Sequence, residues 1–493
     1  MREYWIETAL EDLLDYIQPT NFIVDSTEYN NIYKTPVLTA GKSFILGYTN
    51  EEHNIFSDLP VIIFDDFTTA TQFVNFRFKV KSSAMKILAP KSSLVNLKYV
   101  YYYMQTIRHN SDTHKRYWIS IYSKLNIKLA PLPEQRAIAT KIEGLFSELD
   151  NGVANLLRAK EKLEIYRQAV LKKAFDGELT KEWRINRNDL VTGEDTLTKI
   201  KEYRDINYKS QIDEWTENLK QWEADGKIGI KPKKPSRIDV SAFDDYVIDF
   251  YTPSEWIKCQ LADVLFGLTD YHANGSYEIL KENVTLFDQE DYAVMIRATN
   301  FEKKDFSKDL KYINEHAYNF LSKTKLYGGE ILVGKIGNAG KIYLMPDLKR
   351  KASLAMNLFA IRVDQKNILS KFLYYQLKNF YQEKEILSYV KGVGNPTIDK
   401  ISIRSIHINL CSVKEQTRIV QEIEARLSIC DNIEMCINQG LNKANVLRQS
   451  ILERAFEGKL LSEAEIEACK KEPDWEPAEK LLEKIKNESR AVK

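Results

Sequence analysis

The 493 residues include 44% hydrophobic and 29% charged side chains and carry a formal net charge of +1. That is a globular composition, in a chain long enough for two to four domains. No apolar run approaches the ~18 residues of a membrane span, and MREYWIETALEDLL has acids where a signal peptide needs a basic start and an apolar stretch. The five cysteines (Cys259, Cys411, Cys430, Cys436 and Cys469) form no C-x-x-C pair, which argues against a zinc site or a disulfide framework and for reduced thiols in a cytoplasmic protein.

In chain order, YWIETALEDLL (4–14) opens a first globular segment, where VIIF (61–64) and QFVNFRFKV (72–80) read as strands and YVYYYMQ (99–105) follows. Residues 134–179 then read as one long helix, from EQRAIATKIEGLFSELDN to YRQAVLKKAFDGEL. Apolar or small residues recur at steps of four and three through Ile138, Ile142, Leu145, Leu149, Gly152, Leu156, Ala159, Leu163, Tyr166 and Val170, the a/d seam of a coiled coil. Some 45 residues at 1.5 Å each predict a rod of roughly 65–70 Å. Residues 181–250 are polar, with YKSQIDEWTENLKQWEADG helical and KPKKPSR a linker. A second globular segment opens with EWIKCQLADVL (255–265) and holds strand-like ILVGKI (331–336) and LFAIRV (358–363), then FLYYQLK (372–378). Residues 415–460 form a second long helix, with the seam Ile419, Ile423, Arg426, Cys430, Ile433, Ile437, Gly440, Ala444, Leu447 and Ile451. Residues 462–493 read as a charged helical tail with little apolar face.

The chain therefore repeats itself. Glu134 and Glu415 lie 281 positions apart, as do Gly177 and Gly458, and the copies align without a gap. Trp5 and Trp256 lie 251 apart, so the second globular segment is longer by 30 residues. Gapless copies predict an antiparallel pair of helices, in which glycine and alanine at Gly152, Ala159, Gly440 and Ala444 let two backbones approach closely. The expected architecture is α+β, with two α/β domains and two long coiled-coil helices in a pseudo-two-fold repeat. Its boundaries fall at 1–133, 134–180, 181–250, 251–414, 415–461 and 462–493.

Charge is uneven along the first segment. Residues 1–66 hold three Lys/Arg against twelve Asp/Glu, and residues 67–133 hold eleven against one, Asp112. A basic tract of this kind suits a nucleic-acid footprint, with Lys79, Lys81, His114, Lys115 and Arg116 as candidate phosphate contacts beside Tyr117 and Trp118. A solvated lysine face is the alternative. In the second segment, VGKIGNAGK (333–341) carries Lys335, Asn338 and Lys341, followed by Arg350 and Lys351, and KGVGNPT (391–397) carries Lys391 and Asn395. Glycine permits close backbone approach and asparagine can bond adenine bidentately, although ordinary hairpin turns need the same residues.

Catalytic signatures are missing. GKIGNAGK lacks P-loop spacing, and Ile342 stands where Ser or Thr would bind magnesium. Asn395–Pro396 is followed by Thr397–Ile398 rather than a proline and an aromatic. No G-x-G-x-x-G, H-E-x-x-H or G-x-S-x-G occurs. The residues point to a binding protein rather than an enzyme, and a DNA-binding scaffold or regulator and a protein–protein adaptor both remain open.

The duplicated layout, with EQ opening each helix and AF[DE]G closing it, resembles the specificity subunits of Type I restriction–modification systems along essentially the whole chain. PLPEQRAIATKIE and FDGELTKEWR are similar to the family's central helical region, and KEQTRIVQEIE with FEGKL to its C-terminal one. Cys411 and Ser412 depart from the proline and leucine expected before the second EQ, which bears on the local turn. The resemblance implies that residues 1–133 and 251–414 are target recognition domains, each reading one half of a split site in double-stranded DNA. It implies that the helices set the gap and dock two methyltransferase subunits for N6-adenine methylation, with motor-nuclease subunits added for restriction. It also implies that the chain binds no cofactor, with S-adenosylmethionine, ATP and magnesium held by the partner subunits.

Overall fold

The computed structural model describes residues 2–39, 43–107, 116–187, 189–228, 231–238, 240–242 and 250–491. Strands β1 (Ile6–Ala9), β2 (Leu14–Ile17), β3 (Thr35–Leu38), β4 (Ile45–Thr49), β5 (Val61–Asp65), β6 (Thr71–Val74), β7 (Lys79–Val80) and β8 (Met85–Pro90) precede helix α1 (Leu97–Met104). Strand β9 (Asn126–Leu129) leads into α2 (Leu132–Phe175), and α3 (Gly193–Ala224) follows. The second half holds β10 (Ile257–Gln260), β11 (Leu265–Asp270), β12 (Ala293–Ile296), β13 (Lys311–Ile313), β14 (Lys325–Leu326), β15 (Ile331–Gly334), β16 (Ile342–Leu344), β17 (Ala352–Leu354) and β18 (Leu358–Val363). Helices α4 (Ser370–Leu377) and α5 (Lys400–Arg404), strand β19 (His407–Leu410) and helices α6 (Val413–Phe456), α7 (Glu463–Lys470) and α8 (Ala478–Ala491) complete it. The expected strand over 72–80 is two strands, β6 and β7, in different sheets, because residues 75–78 leave the first ladder after Val74.

The chain forms two units. One comprises Met1–Ala159 with Cys436–Lys493, the other Lys160–Met435. Each long helix thus gives its first part to the unit whose globular segment it follows and its last part to the other unit.

Both units have the same construction. In the first, β1 pairs antiparallel with β9, Ile6 opposite Leu129; in the second, β10 pairs with β19, Ile257 opposite Leu410. These pairs bring the two ends of each globular segment together. The main sheets run β2-β8-β5-β6 and β11-β18-β15-β16, antiparallel throughout. The smaller sheets share one antiparallel and one parallel step, β4-β3-β7 and β13-β12-β17, and β14 extends the second. VIIFD and ILVG, apolar on both faces, are buried along their whole length, which is why they occupy interior positions in the sheets.

The EQ motif closes each construction. Glu134 is buried and accepts the Trp5 indole N–H at 3.0 Å; Glu415 is buried and accepts that of Trp256 at 2.9 Å. Gln135 donates to the Ala130 carbonyl and accepts the Asn96 N–H, while Gln416 donates to Cys411 and accepts from Leu369. Ser412 caps α6 by accepting the Glu415 N–H at 3.2 Å, so the departure at Cys411–Ser412 still makes a sound helix start. At the far ends, Gly177 and Gly458 adopt φ of +75° and +76°. Glu178 N–H then reaches the Lys173 carbonyl and Lys459 N–H that of Arg454, the glycine stop that AF[DE]G encodes.

The helices pair antiparallel within each unit. In the first, Asp150 meets Arg448 and Leu156 lies beside Gly440, where an added Cβ would stand 3.0 Å from the leucine. In the second, Arg167 bonds Asp431 at 2.7 Å and Glu434 at 3.0 Å. Apolar packing is concentrated toward the helix ends, at Ile138, Ile142, Val170, Phe175, Ile419, Ile423, Ile451 and Phe456. In between the seam is interrupted: Leu163, Cys430 and Ile437 stay buried, whereas Gly152, Ala159, Tyr166, Ile433 and Leu447 are exposed and ion pairs lie among them. Gly152 has nothing within 4 Å of an added Cβ, so the close approach belongs to Gly440 and not to Gly152.

Two polar stretches take unexpected places. The tail has a strong apolar face: Ile466, Ala478, Leu481 and Ile485 join the first unit's core, and Arg136 binds Glu472 and Asp474. KPKKPSR is no free linker. After α3 packs on the second unit through Leu197 and Ile200, Pro232 accepts the Trp215 indole N–H and Arg237 pairs with Asp205 at 2.6 Å.

Glu415 also takes Thr180 and the buried Arg184, whereas Glu134 forms no salt bridge among the described residues. Glu415→Ala leaves the buried Arg184 with only the half-exposed Glu255 at 3.3 Å as a counter-ion and orphans the Trp256 indole N–H and the Thr180 hydroxyl, a loss of about 3–5 kcal/mol. Glu134→Ala orphans one indole N–H, about 1–3 kcal/mol. Denaturant unfolding of the two variants is expected to rank them in that order, and equal losses would contradict it.

Candidate nucleic-acid interface

In the second unit the loop end of the main sheet is organised by Asp270, the last residue of β11. It is 6% exposed and accepts the ammonium groups of Lys335 at 2.6 Å and Lys400 at 3.0 Å. Burial pushes its carboxyl pKa up, but these two bonds outweigh burial and hold it below the usual value. Both lysines also lie over the Phe359 ring, at 5.3 and 5.9 Å. Two cations on one carboxylate leave a net positive floor.

Above it, the turn between β15 and β16 is tight. An added Cβ at Gly334 would stand 1.8 Å from the Asn338 carbonyl oxygen, and Gly337 and Gly340 have φ of +77° and +81°. The 391–397 loop closes on itself between Lys391 and Thr397. The two loops join: Ile336 bridges Thr397, Gly337 N–H donates to the Pro396 carbonyl, and Ile398 N–H to that of Lys335. Lys335, Asn338, Lys391 and Asn395 thus share one loop cluster, with Val393 fully exposed at its tip. Lys341 leaves the same turn and pairs with Glu302 at 3.0 Å, its side chain still half exposed. Arg350 and Lys351 are not part of this cluster. They precede β17 of the smaller sheet, where Arg350 pairs with Glu290 and lies over Tyr312, and Lys351 lies 3.8 Å from the Tyr292 ring centroid.

The first unit has an acid–lysine pair at the same end of its main sheet, built from different strands. Ile62 pairs with Leu88 as Ile331 pairs with Ile361, so Asp66 holds the position of Lys335 and Lys86 that of Phe359. Asp66 is fully buried and binds Lys86 at 3.1 Å. It also accepts the N–H groups of Arg116 at 2.8 Å and Trp118 at 2.9 Å. This fixes the position of exposed Arg116, at φ +82°, next to the hairpin that presents Phe67. Lys81 is exposed beyond β7. His114 and Lys115 lie outside the described residues.

Lys79 is in a different setting from the one expected of a phosphate contact. It is fully buried, with its ammonium on Glu51 at 2.6 Å and on the His53 carbonyl. The acids of residues 1–66 fold back on the later basic tract at Lys79–Glu51, Lys86–Asp66 and Lys91–Asp15, so much of the charge contrast along the chain cancels in space. Among the described residues, one group of metal-ligand type gathers, Asp25, Glu51 and His53. Glu51 there already carries the Lys79 ammonium and the amides of Asp25 and Ser26.

Composition did not single out Asp66 and Asp270, because an isolated acid has no sequence signature. Each domain presents glycine-bearing or exposed turns over a buried carboxylate paired with lysine, one lysine in the first unit and two in the second. That arrangement suits contact with a polyanion and its base edges.

Comparisons agree on a family. Residues 253–443 match the model of the Type I restriction modification DNA specificity domain. The chain is 27% identical over 456 residues to the Type I restriction enzyme EcoR124I/EcoR124II specificity subunit of Escherichia coli, covering 89% of this chain and 90% of that one. It is 26% identical over 374 residues to the EcoKI specificity subunit of E. coli K12, spanning 75% of this chain and 65% of the relative. A solved chain from work on complex assembly and conformational transition of the type I R-M system shares the fold, with a TM-score of 0.57 at 14% identity over 93% of this chain and 99% of that one.

Asp66→Ala leaves Lys86 buried without its partner and two amides without an acceptor. A loss of about 3–5 kcal/mol is expected, with hydrogen-exchange protection lost at Arg116 and Trp118. Unchanged protection at those amides would show that Asp66 does not hold the loop.

Proposed function

We propose that this chain, similar along most of its length to specificity subunits of Type I restriction–modification systems, is such a subunit and selects the DNA sequence on which partner subunits act. Each globular segment reads one half of a bipartite, asymmetric site in double-stranded DNA. The long antiparallel helices fix the number of base pairs between the halves and dock two methyltransferase subunits. Those subunits methylate adenine at N6, and motor-nuclease subunits join them for restriction. The chain itself performs no chemistry. S-adenosylmethionine, ATP and magnesium bind to the partners, and the complex works in the cytoplasm.

The observation that carries this reading is the repeated construction. Two sheets of identical topology each present, at the same end, a loop surface seated on a buried acid paired with lysine. A duplicated frame with different loops is what reading two different half-sites requires. Within the second surface, Lys335, Lys341 and Lys391 suit phosphates, and Asn338 and Asn395 suit base edges. In the first, Lys81 and Arg116 are exposed. Adenine methylation needs the base out of the stack, so loops that hold the backbone on either side of a distorted step fit the task.

The test uses the chain in complex with its methyltransferase. Lys341→Gln is expected to weaken DNA binding by about 1 kcal/mol, lower its salt slope by about one and leave the methylated sequence unchanged. Asn395→Ala is expected to cost about 1–3 kcal/mol and to relax only the half read by residues 251–414. Affinity and motif both unaltered in the two variants would put the second reading surface elsewhere.

A further inference from the structure

Helix α3 and the returning segment 231–238 form an arm on the second unit. The foot of the arm is tied to the recognition domain. Arg204 donates to the carbonyls of Ala262 and Asp263, and Tyr203 packs on Phe266 at 5.5 Å. Farther along, Tyr208 and Gln211 line a polar cavity of about 330 Å³ with Gly267, Leu268, Arg237 and Arg404. The helix therefore follows β11 toward its loop end. From Gln211 to Ala224 it rises about 20 Å, whereas β11 has only about 7 Å left between Leu268 and Asp270. Its last turns run on past the level at which Asp270 seats the recognition loops.

The chain then comes back along the arm as KPKKPSRI. Lys231 lies over Trp222 at 6.0 Å, Pro232 accepts the Trp215 indole N–H at 3.0 Å, and Lys234 lies over Trp215 at 5.6 Å. Pro232 and Pro235 keep it extended. Lys231, Lys233, Lys234 and Arg237 are all exposed, and residues 231–238 contain no acid. The arm's carboxylates, Asp213, Glu214, Glu217 and Glu223 among them, lie on the helix, whose Trp215 and Trp222, seven residues apart, mark the side that meets the strand. Arg237 is spent on Asp205. Three lysines remain on one stiff edge, with Lys231 and Lys234 roughly 9 Å apart along an extended chain, a span of two to three base-pair steps.

We propose that this arm is a second, sequence-independent DNA contact, in which Lys231, Lys233 and Lys234 hold backbone phosphates of the duplex flanking the half-site read by residues 251–414. Its ligand is double-stranded DNA outside the recognised bases. After Gly458 in the other copy the described chain continues into α7 and α8, which pack into the first unit's core.

The inference rests on the second domain being a DNA reader. If that fails, the parent complex shows no site-specific binding at all; if only the arm fails, the parent binds normally and the variant equals it. The test compares the parent with K231Q/K233Q/K234Q, each in complex with its methyltransferase, on a duplex with long flanks and on one trimmed at the half-site read by the second domain. On the long duplex the glutamine variant is expected to lower the salt slope by about two to three and to bind roughly tenfold more weakly near physiological salt, while methylating the same sequence. On the trimmed duplex the difference disappears. K231R/K233R/K234R keeps the parent slope, which separates loss of charge from loss of fold. The proposal is overturned by an unchanged slope on the long duplex, or by a deficit that persists on the trimmed one. It is also overturned if the glutamine variant keeps its slope but sheds the methyltransferase, which would make the arm a docking site for an acidic protein surface.

Discussion

In each unit, a glutamate at the start of the long helix is buried and accepts an indole N–H from the tryptophan before the first strand of the globular segment. This bond joins three parts of the chain that are distant in sequence: the start of the segment, its end and the helix that follows. A carboxylate removed from water is costly unless its lone pairs are used, so the glutamate tolerates little rearrangement around it. The neighbouring glutamine serves backbone groups on both sides of the same junction. Strand pairing, helix start and domain base are thereby set as one object, and the same object occurs twice.

With the base fixed in this way, the far end of each sheet is free to differ. The two units solve one local problem, seating loops over a sheet end, with the acid and its lysine placed on different strands: Asp66 with Lys86 in one, Asp270 with Lys335 and Lys400 in the other. Either placement gives the buried carboxylate a cation, so the frame survives while the loop chemistry changes. The arginine that tends the glycine stop differs in the same spirit. Arg184 reaches the Gly177 carbonyl from just downstream, and Arg2 reaches that of Gly458 from the chain's other end. The frame specifies contacts rather than the segment that supplies them.

Much of the frame was legible in the sequence because duplication writes it twice. The offset of 281 between Glu134 and Glu415, the paired tryptophans and the AF[DE]G stops all correspond to contacts seen in both units. The glycine turns at 333–341 and 391–397 were legible as turns, but their union through Ile336 and Thr397 is a tertiary fact with no local signal. Lys79 misled because its neutralising partner, Glu51, is 28 residues upstream and comes close only when the β-rich segment folds. KPKKPSR misled for the opposite reason: proline and lysine read as linker until Trp215 and Trp222 offer faces to hold them. Four apolar residues of the tail, spread between Ile466 and Ile485, were too sparse to register as a face, yet all four are buried.

The central claim is that one fixed frame carries two independent readers. Its most direct test replaces residues 1–133 with the corresponding segment of a relative, keeping Trp5 and the junction to Glu134, and maps N6-methyladenine across DNA modified by the complex. The account requires one half of a bipartite motif to change while the other half and the spacing between them stay fixed. If both halves or the spacing changed together, the two segments would not be independent readers on a common frame.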